Sequence, residues 1–388
     1  MTQAAVRSIP FARPWIFDSD RAAVQRVLEG YILTHGPECK AFEAEFAAFM
    51  EDGAHCVTVS SCMAALHLAC LEFKYGPGDE VIVPAETHAA TVHAVEWVGA
   101  TPIFIDPDPA TGNMTAAAIA AAITPRTKGI IVVHFVGIPC DMPAIAALAA
   151  ERHLTLIEDC ALAVGSRWNG RHVGLFGDAG CFSFYPVKHI TTAEGGMFVT
   201  RHADVAERVA RLRAFGVDRS HGERAIPGMY DVPSLGLNYR MSEMQAALGR
   251  TQLARIHENL VRRAANFARL RAAVAGVPDV RLLDATSGDA ANSHYCATVV
   301  LEGALAGRRT SLMAALTATG IGTSIYYPHP VPRMAYYRDK YGYDASCCPV
   351  ASEISDQSIA LPVGPHLTDD DAADVAAALA HAVGTVRA

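Results

Sequence analysis

From about residue 55 to residue 200, short β-branched runs alternate with alanine-rich stretches whose apolar positions recur at helical spacing. Residues 57–59 read as a strand, followed by a helix over 62–73 in which Ala64, Ala65, Leu66, Leu68 and Ala69 are apolar. The next strand is 81–84 and the next helix 89–98. Further strands fall at 101–106, 129–135 and 154–159, with helices near 115–123 and 143–153 between them. Strand-length apolar runs separated by helices predict a parallel sheet covered on both faces. After residue 180 the rhythm changes. Strands at 180–185 and 195–200 are joined by 186–194 alone, too short for a crossover helix, so the second strand should run antiparallel to the first.

Long helical patterns follow at 203–215 and, beyond a glycine-rich loop, at 242–275. The remainder starts a pattern of its own, with strands near 297–301 and 323–326 and helices near 311–319 and 369–383. The chain has 388 residues, more than one small module needs. We expect an α/β protein with a large domain over 1–250 and a smaller C-terminal α/β domain over 251–388, the boundary lying inside the long helix.

Hydrophobic residues make up 51% of the chain and charged residues 19%, which excludes a disordered polymer. There is no run of about 18 apolar residues to span a bilayer, and the first ten residues lack the apolar core of a signal peptide. A cytoplasmic protein is expected. The 32 Lys and Arg against 40 Asp and Glu give a net charge of −8, without the basic excess of a nucleic-acid binder. The densest basic stretch, 201–224, also carries Asp204, Glu207, Asp218 and Glu223 and reads as a solvated helix and loop. The ten cysteines include no C-x-x-C pair, and neither His nor Cys stands at zinc-ligand spacing beside Cys347 and Cys348. Reduced, mostly buried thiols and no metal are the expectation.

Motifs narrow the chemistry. The dinucleotide glycine fingerprint, the P-loop, H-E-x-x-H and G-x-S-x-G are all missing from the sequence. Four features remain. Val59-Ser-Ser-Cys62-Met63-Ala64 is a strand-to-helix junction, and helix N-termini hold anions. Glu158-Asp159 sets a carboxylate at the end of a parallel strand, where open α/β sheets bind ligands; such a group could keep a pyridine nitrogen protonated. Lys188 lies in a short connection between strands, flanked by apolar and hydroxyl residues, as a Schiff-base lysine would. Gly236-Leu-Asn238-Tyr-Arg240 is a donor-rich loop before a long helix. Each alone has a plainer reading as an N-cap, a strand-end residue, a surface lysine or a capping loop. The four together point to one cofactor.

The motifs 64–68, 76–84, 99–106, 123–128, Glu158-Asp159, 183–196 and 236–241, with Gly36-Pro37, Phe42-Glu43, Gln245-Ala-Ala and Leu361-Pro362, run nearly end to end. In combination they resemble the DegT/StrS family of pyridoxal-phosphate-dependent sugar aminotransferases, of fold type I. The resemblance implies a mostly parallel seven-stranded sheet in the large domain. It places the internal-aldimine lysine at Lys188 and the pyridinium partner at Asp159. His88 takes the position of the residue that stacks on the cofactor ring. Ser183 and the backbone at Cys62 and Met63 match the phosphate cup, and Asn238 matches an asparagine reaching the phosphate from a neighbouring subunit. A homodimer with shared sites follows, moving an amino group from glutamate to a keto sugar carried on a nucleotide.

Two positions depart from the family pattern. Many relatives read Ser-Gly-Thr where this chain has Ser61-Cys62-Met63, and Leu162 replaces a glutamine. A sugar dehydratase of the same family would carry histidine in place of the lysine, whereas this chain keeps Lys188 and has His189 beside it. A catalytically silent relative acting as a binding or regulatory protein would be expected to have lost Lys188 or Asp159.

Overall fold

The computed structural model describes residues 7–51, 53–218, 226, 228–344 and 346–387. Two helices, α1 (Asp18–Glu29) and α2 (Pro37–Met50), precede an alternating run: β1 (His55–Val59), α3 (Cys62–Glu72), β2 (Glu80–Pro84), α4 (Ala89–Trp97), β3 (Thr101–Ile105), α5 (Ala116–Ala122), β4 (Thr127–Val133), α6 (Met142–Glu151) and β5 (Thr155–Asp159). A small hairpin, β6 (Arg167–Trp168) and β7 (Arg171–His172), leads to β8 (Ala179–Ser183), β9 (Gly196–Thr200) and α7 (Ala203–Leu212). Then come α8 (Glu243–Leu253), α9 (Ile256–Val274), β10 (Val280–Leu282), β11 (Ala290–Ala291), β12 (Ala297–Leu301) and α10 (Arg309–Ala318). The chain closes with α11 (Ala335–Tyr341), α12 (Pro349–Gln357), β13 (Ser358–Leu361) and α13 (Asp369–Arg387).

The large sheet has seven strands in the order β1-β9-β8-β5-β4-β2-β3. β9 pairs antiparallel with both β8 and β1, and the other neighbours pair parallel, as the short 186–194 connection requires. The C-terminal ends of β1, β2, β4, β5 and β8 therefore share one edge with the N-terminal end of β9. Successive residues of β2 face opposite layers: Val81 and Val83 pack with α3 residues such as Leu66 and Leu68, while Ile82 packs with Ile119 of α5 and Ile145 of α6. Burial on both faces explains why these strands are apolar throughout. α2 adds Phe42 and Phe46, packed on Phe182 and Phe184.

A second, antiparallel sheet, β10-β12-β13, has a separate core against α9, α10 and α13. The predicted helix 242–275 is two helices, parted at Ala254 and Arg255. Arg255 turns its guanidinium onto Asp20 of α1 (2.7 Å), a carboxylate only 1% exposed that also accepts from Gln252 Nε2 (3.1 Å). That buried ion pair holds the break. Residues 323–326 do not form the predicted strand; Ser324 makes a single bridge to Ala360, and the third strand of the small sheet is β13. In the basic stretch, α7 carries i,i+4 pairs Arg208–Asp204 and Arg211–Glu207 on its outer face, while 219–225 lie outside the described residues. All ten cysteines are free thiols. Among the described residues no helix is long and apolar enough to cross a membrane.

Candidate active site

The shared sheet edge gathers most of the residues singled out from sequence. β1 runs through Ser60 into Ser61, whose hydroxyl accepts from Ala64 N–H (3.1 Å) and caps α3. The N–H groups of Cys62 and Met63 then precede any intrahelical acceptor and point out of the helix end. Gly196, at the start of β9, presses against this turn: a Cβ there would stand 2.6 Å from Ser61 C and 2.7 Å from Cys62 N. Only glycine lets the strand approach so closely. Ser183 ends β8 in register with Gly196, its hydroxyl accepting from Tyr185 N–H (3.4 Å). Two backbone donors and a hydroxyl thus frame a small anion cradle.

Asp159 ends β5 and is 5% exposed. Its Oδ1 accepts from Ala161 N–H (3.0 Å) and faces the Cys62 thiol (3.8 Å), while Oδ2 accepts from Thr91 Oγ1 (2.8 Å). Lys188 sits in the β8–β9 connection with its Nζ 4.9 Å from the centre of the Tyr295 ring. Burial draws its amine down from 10.5 to about 8, with Cys62, Asp159 and Cys296 acting in the opposite sense. A fraction of this amine is therefore neutral near pH 7, unlike that of a surface lysine. His88 caps α4 by accepting from Ala90 N–H at Nδ1 (3.1 Å), and its ring meets Tyr327 edge-on at 5.5 Å.

Asn238 belongs to the segment beside the cradle turn, where Tyr239 O accepts from Ser60 N–H (2.8 Å). Its backbone bridges Ala214 beyond the end of α7, its residue is exposed, and among the described residues its side chain makes no hydrogen bond. His189 turns away from Lys188 into the interior, where its Nε2 donates to Ser293 O (3.0 Å) and burial pushes its pKa well down. Leu162 is buried among Phe135, Val136, Tyr295 and Cys296. Beside Asp159, Glu158 points to the opposite face of the sheet and accepts from Gly174, Phe176 and Gly177 N–H and from His134 Nε2. His134, Glu158 and Cys160 lie close enough to resemble a metal set. His134 Nδ1, however, already accepts from Cys140 N–H (3.1 Å), and the Glu158 oxygens already accept from three backbone N–H groups, so the cluster holds backbone instead.

The family model for the DegT/DnrJ/EryC1/StrS aminotransferases matches residues 15–380. The chain belongs to this family. It is 39% identical over 367 residues to a UDP-N-acetyl-3-dehydro-alpha-D-glucosamine 3-aminotransferase of Acidithiobacillus ferrooxidans, covering 92% of each chain. It is 35% identical over 380 residues, 97% of each, to the spore coat polysaccharide biosynthesis protein SpsC of Bacillus subtilis. The structure superposes on Spr1654 of Streptococcus pneumoniae in its PMP form with a TM-score of 0.92, at 27% identity and over 98% of this chain and 100% of that one.

As a DegT/StrS aminotransferase the chain is a transaminase of fold type I, and membership implies dependence on pyridoxal phosphate (PLP). The residues present fit that cofactor. The cradle kept open by Gly196 offers N–H donors to a phosphate, and a buried carboxylate with every donor accounted for stands across from an amine of lowered pKa. The Cys62 and Met63 departure changes side chains in the cradle and leaves its backbone donors in place; the Cys62 thiol points inward to Asp159 and Cys181 O (3.4 Å). Sequence reasoning missed the wall opposite, where Tyr295 and Tyr326 share a hydroxyl–hydroxyl bond (2.8 Å). There Glu86 accepts from Tyr327 N–H (2.9 Å) and Ser355 Oγ (2.6 Å). These groups come from four distant segments and carry no shared motif. Thr91 was also missed, although the spacing Thr87-His88-x-x-Thr91 lay next to a residue already chosen.

Proposed function

We propose that this transaminase transfers an amino group from glutamate to the carbonyl carbon of a keto sugar carried on a nucleotide. The observation that carries the reading is the Lys188 amine, lowered to about 8 by burial and standing over Tyr295 with Asp159 nearby. The sugar class is supported by the 39% identity to a 3-aminotransferase named for a UDP-linked keto sugar. PLP, when bound, supplies an electron sink for the carbon that gives up its proton. Lys188 would hold the cofactor through its amine and would move the proton as general base and then acid. Asp159 would hold the proton on the ring nitrogen, and His88 would cover one ring face. The N–H groups of Cys62 and Met63, with Ser183, bind the phosphate.

Asn238 completes that cup in the neighbouring subunit, which makes the working unit a homodimer. Its exposure supports this, as does that of Leu235 close by in the same loop, 93% exposed. We further assign 1–250 and 251–388 as the large and small domains, a division supported by the separate core of the second sheet. A panel of nucleotide-linked keto sugars, offered with glutamate to the PLP-loaded protein, tests the function. Amine transfer to at least one of them is expected; transfer only to free keto acids would overturn the sugar assignment. Asp159→Asn should retain PLP and lower turnover by at least about tenfold, roughly 1.4 kcal/mol of barrier. A rate within about twofold of wild type would leave Asp159 a strand-end residue.

A further inference from the structure

Thr91 lies in the first turn of α4, fully buried, three residues after His88. Its hydroxyl has one proton, and the Asp159 carboxylate takes it at 2.8 Å. The second hydroxyl in contact, Thr87 Oγ1, stands 2.8 Å away and is 1% exposed. With Thr91's own proton committed, Thr87 must donate to Thr91 Oγ1, so the two hydroxyls form a directed chain ending on the carboxylate. Hydrogen bonds in such a chain polarise one another where water is excluded. The other carboxylate oxygen is held by Ala161 N–H at 3.0 Å. Both oxygens of Asp159 are thereby fixed in rotation. His88 sits between the two threonines and is held to the same turn, its carbonyl accepting from Thr91 N–H (3.1 Å).

We propose that Thr91, backed by Thr87, is a positioning residue that aims the Asp159 carboxylate at the cofactor ring nitrogen and sets His88 over the ring from the same turn. The inference rests on the role given to Asp159 above. An unfixed carboxylate would rotate about its side-chain torsions, and the ring nitrogen would face a partner of variable distance. The threonines take no part in proton transfer to substrate; they act through Asp159.

The test needs no sugar. PLP-loaded wild type, Thr91→Val, Thr91→Ser, Thr87→Val and Asp159→Asn are mixed with glutamate, and the change in the visible absorption of the cofactor is followed over a range of glutamate concentrations. Valine keeps the branched shape and removes the donor; serine keeps the donor. Thr91→Val is expected to shift the resting absorption spectrum and to slow the saturating rate about tenfold, the loss of one hydrogen bond to a charged group. The half-saturating glutamate concentration should move less than about twofold. Thr91→Ser should restore both readouts, and Thr87→Val should act in the same direction more weakly, which also serves if the Thr91→Val chain does not fold. An unchanged spectrum and rate in both valine variants, with Asp159→Asn impaired, overturns this inference alone. Should Asp159→Asn be unimpaired as well, the role of Asp159 fails and this inference falls with it.

Discussion

The amine of Lys188 differs from those of surface lysines because of where its side chain ends. Desolvation by burial penalises the ammonium form, and Cys62, Asp159 and Cys296 only partly restore it. The charged form dominates below about pH 8 and the neutral, nucleophilic form above it. Capture of PLP by the cofactor-free protein should therefore quicken with rising pH and level off above about 8, as followed by stopped-flow absorption. A rise continuing towards 10.5 would mean an ordinary lysine. Lys188→Ala should lose the visible adduct and about 10²–10⁴-fold or more of turnover, with its melting temperature close to wild type. At Gly196 the argument is steric. An alanine Cβ would meet backbone atoms of Ser61, Cys62 and Phe182 at 2.6–2.7 Å, and backbone cannot swing aside as a flexible side chain does. Gly196→Ala should raise the PLP dissociation constant at least about tenfold in equilibrium dialysis.

Elements meet at this edge through buried acids as much as through apolar packing. Glu86, just beyond β2, binds the segment carrying Tyr327 and the α12 residue Ser355. Burial pushes its carboxyl up to about 8, while its hydrogen bonds to Ser355 and Tyr327 and the charge of Arg333 act the other way and Asp356 reinforces the rise. The sign follows from proton counting. Between about 4.5 and 8 the folded chain keeps a proton that the unfolded chain releases. This group's contribution is therefore full below 4.5, falls as pH rises through that window, and is flat above 8. The slope is at most about 1.4 kcal/mol per pH unit. Glu86→Gln mimics the protonated acid, so its stability relative to wild type should increase between pH 5 and pH 8 in urea titrations; parallel curves would refute the protonated acid. The sheet itself was legible in the pattern because its strands are buried on both faces and its helices are alanine-rich. The break between α8 and α9 was not, since it depends on Asp20, more than 230 residues away from Arg255. The strand β13 escaped because four residues after a helix give too short a pattern.

At the scale of the molecule, one chain places Lys188, Asp159, His88, Ser183 and the cradle at a single sheet edge, and leaves the Asn238 residue exposed, its side chain without a hydrogen bond among the described residues. The dimer reading turns that exposure into a test. The protein should sediment at twice the 41.2 kDa of one chain. Lys188→Ala and Asn238→Ala chains, each inactive, should on mixing form heterodimers with one doubly damaged and one intact site, recovering about half the wild-type activity per heterodimer. That holds if Asn238→Ala alone is severely impaired, as the loss of a hydrogen bond to a charged phosphate, about 1.5–3 kcal/mol, allows. A mixture no more active than its parts after proven chain exchange would refute the shared site.

By itself the sequence determined the alternating α/β layers and the reversal at β9, and marked Lys188, Asp159 and the Ser61–Met63 turn as candidates. Each of these is written in local periodicity or in residues a few positions apart. Tertiary structure alone decided the rest. It turned the Cys62 thiol inward and His189 away from Lys188, set Tyr295 beside the lysine, and joined Thr91 to Asp159 across 68 positions of chain. It also raised the Glu86 carboxyl and lowered the Lys188 amine. Those properties arise from burial and from partners brought together by packing, and neither quantity exists along an extended chain.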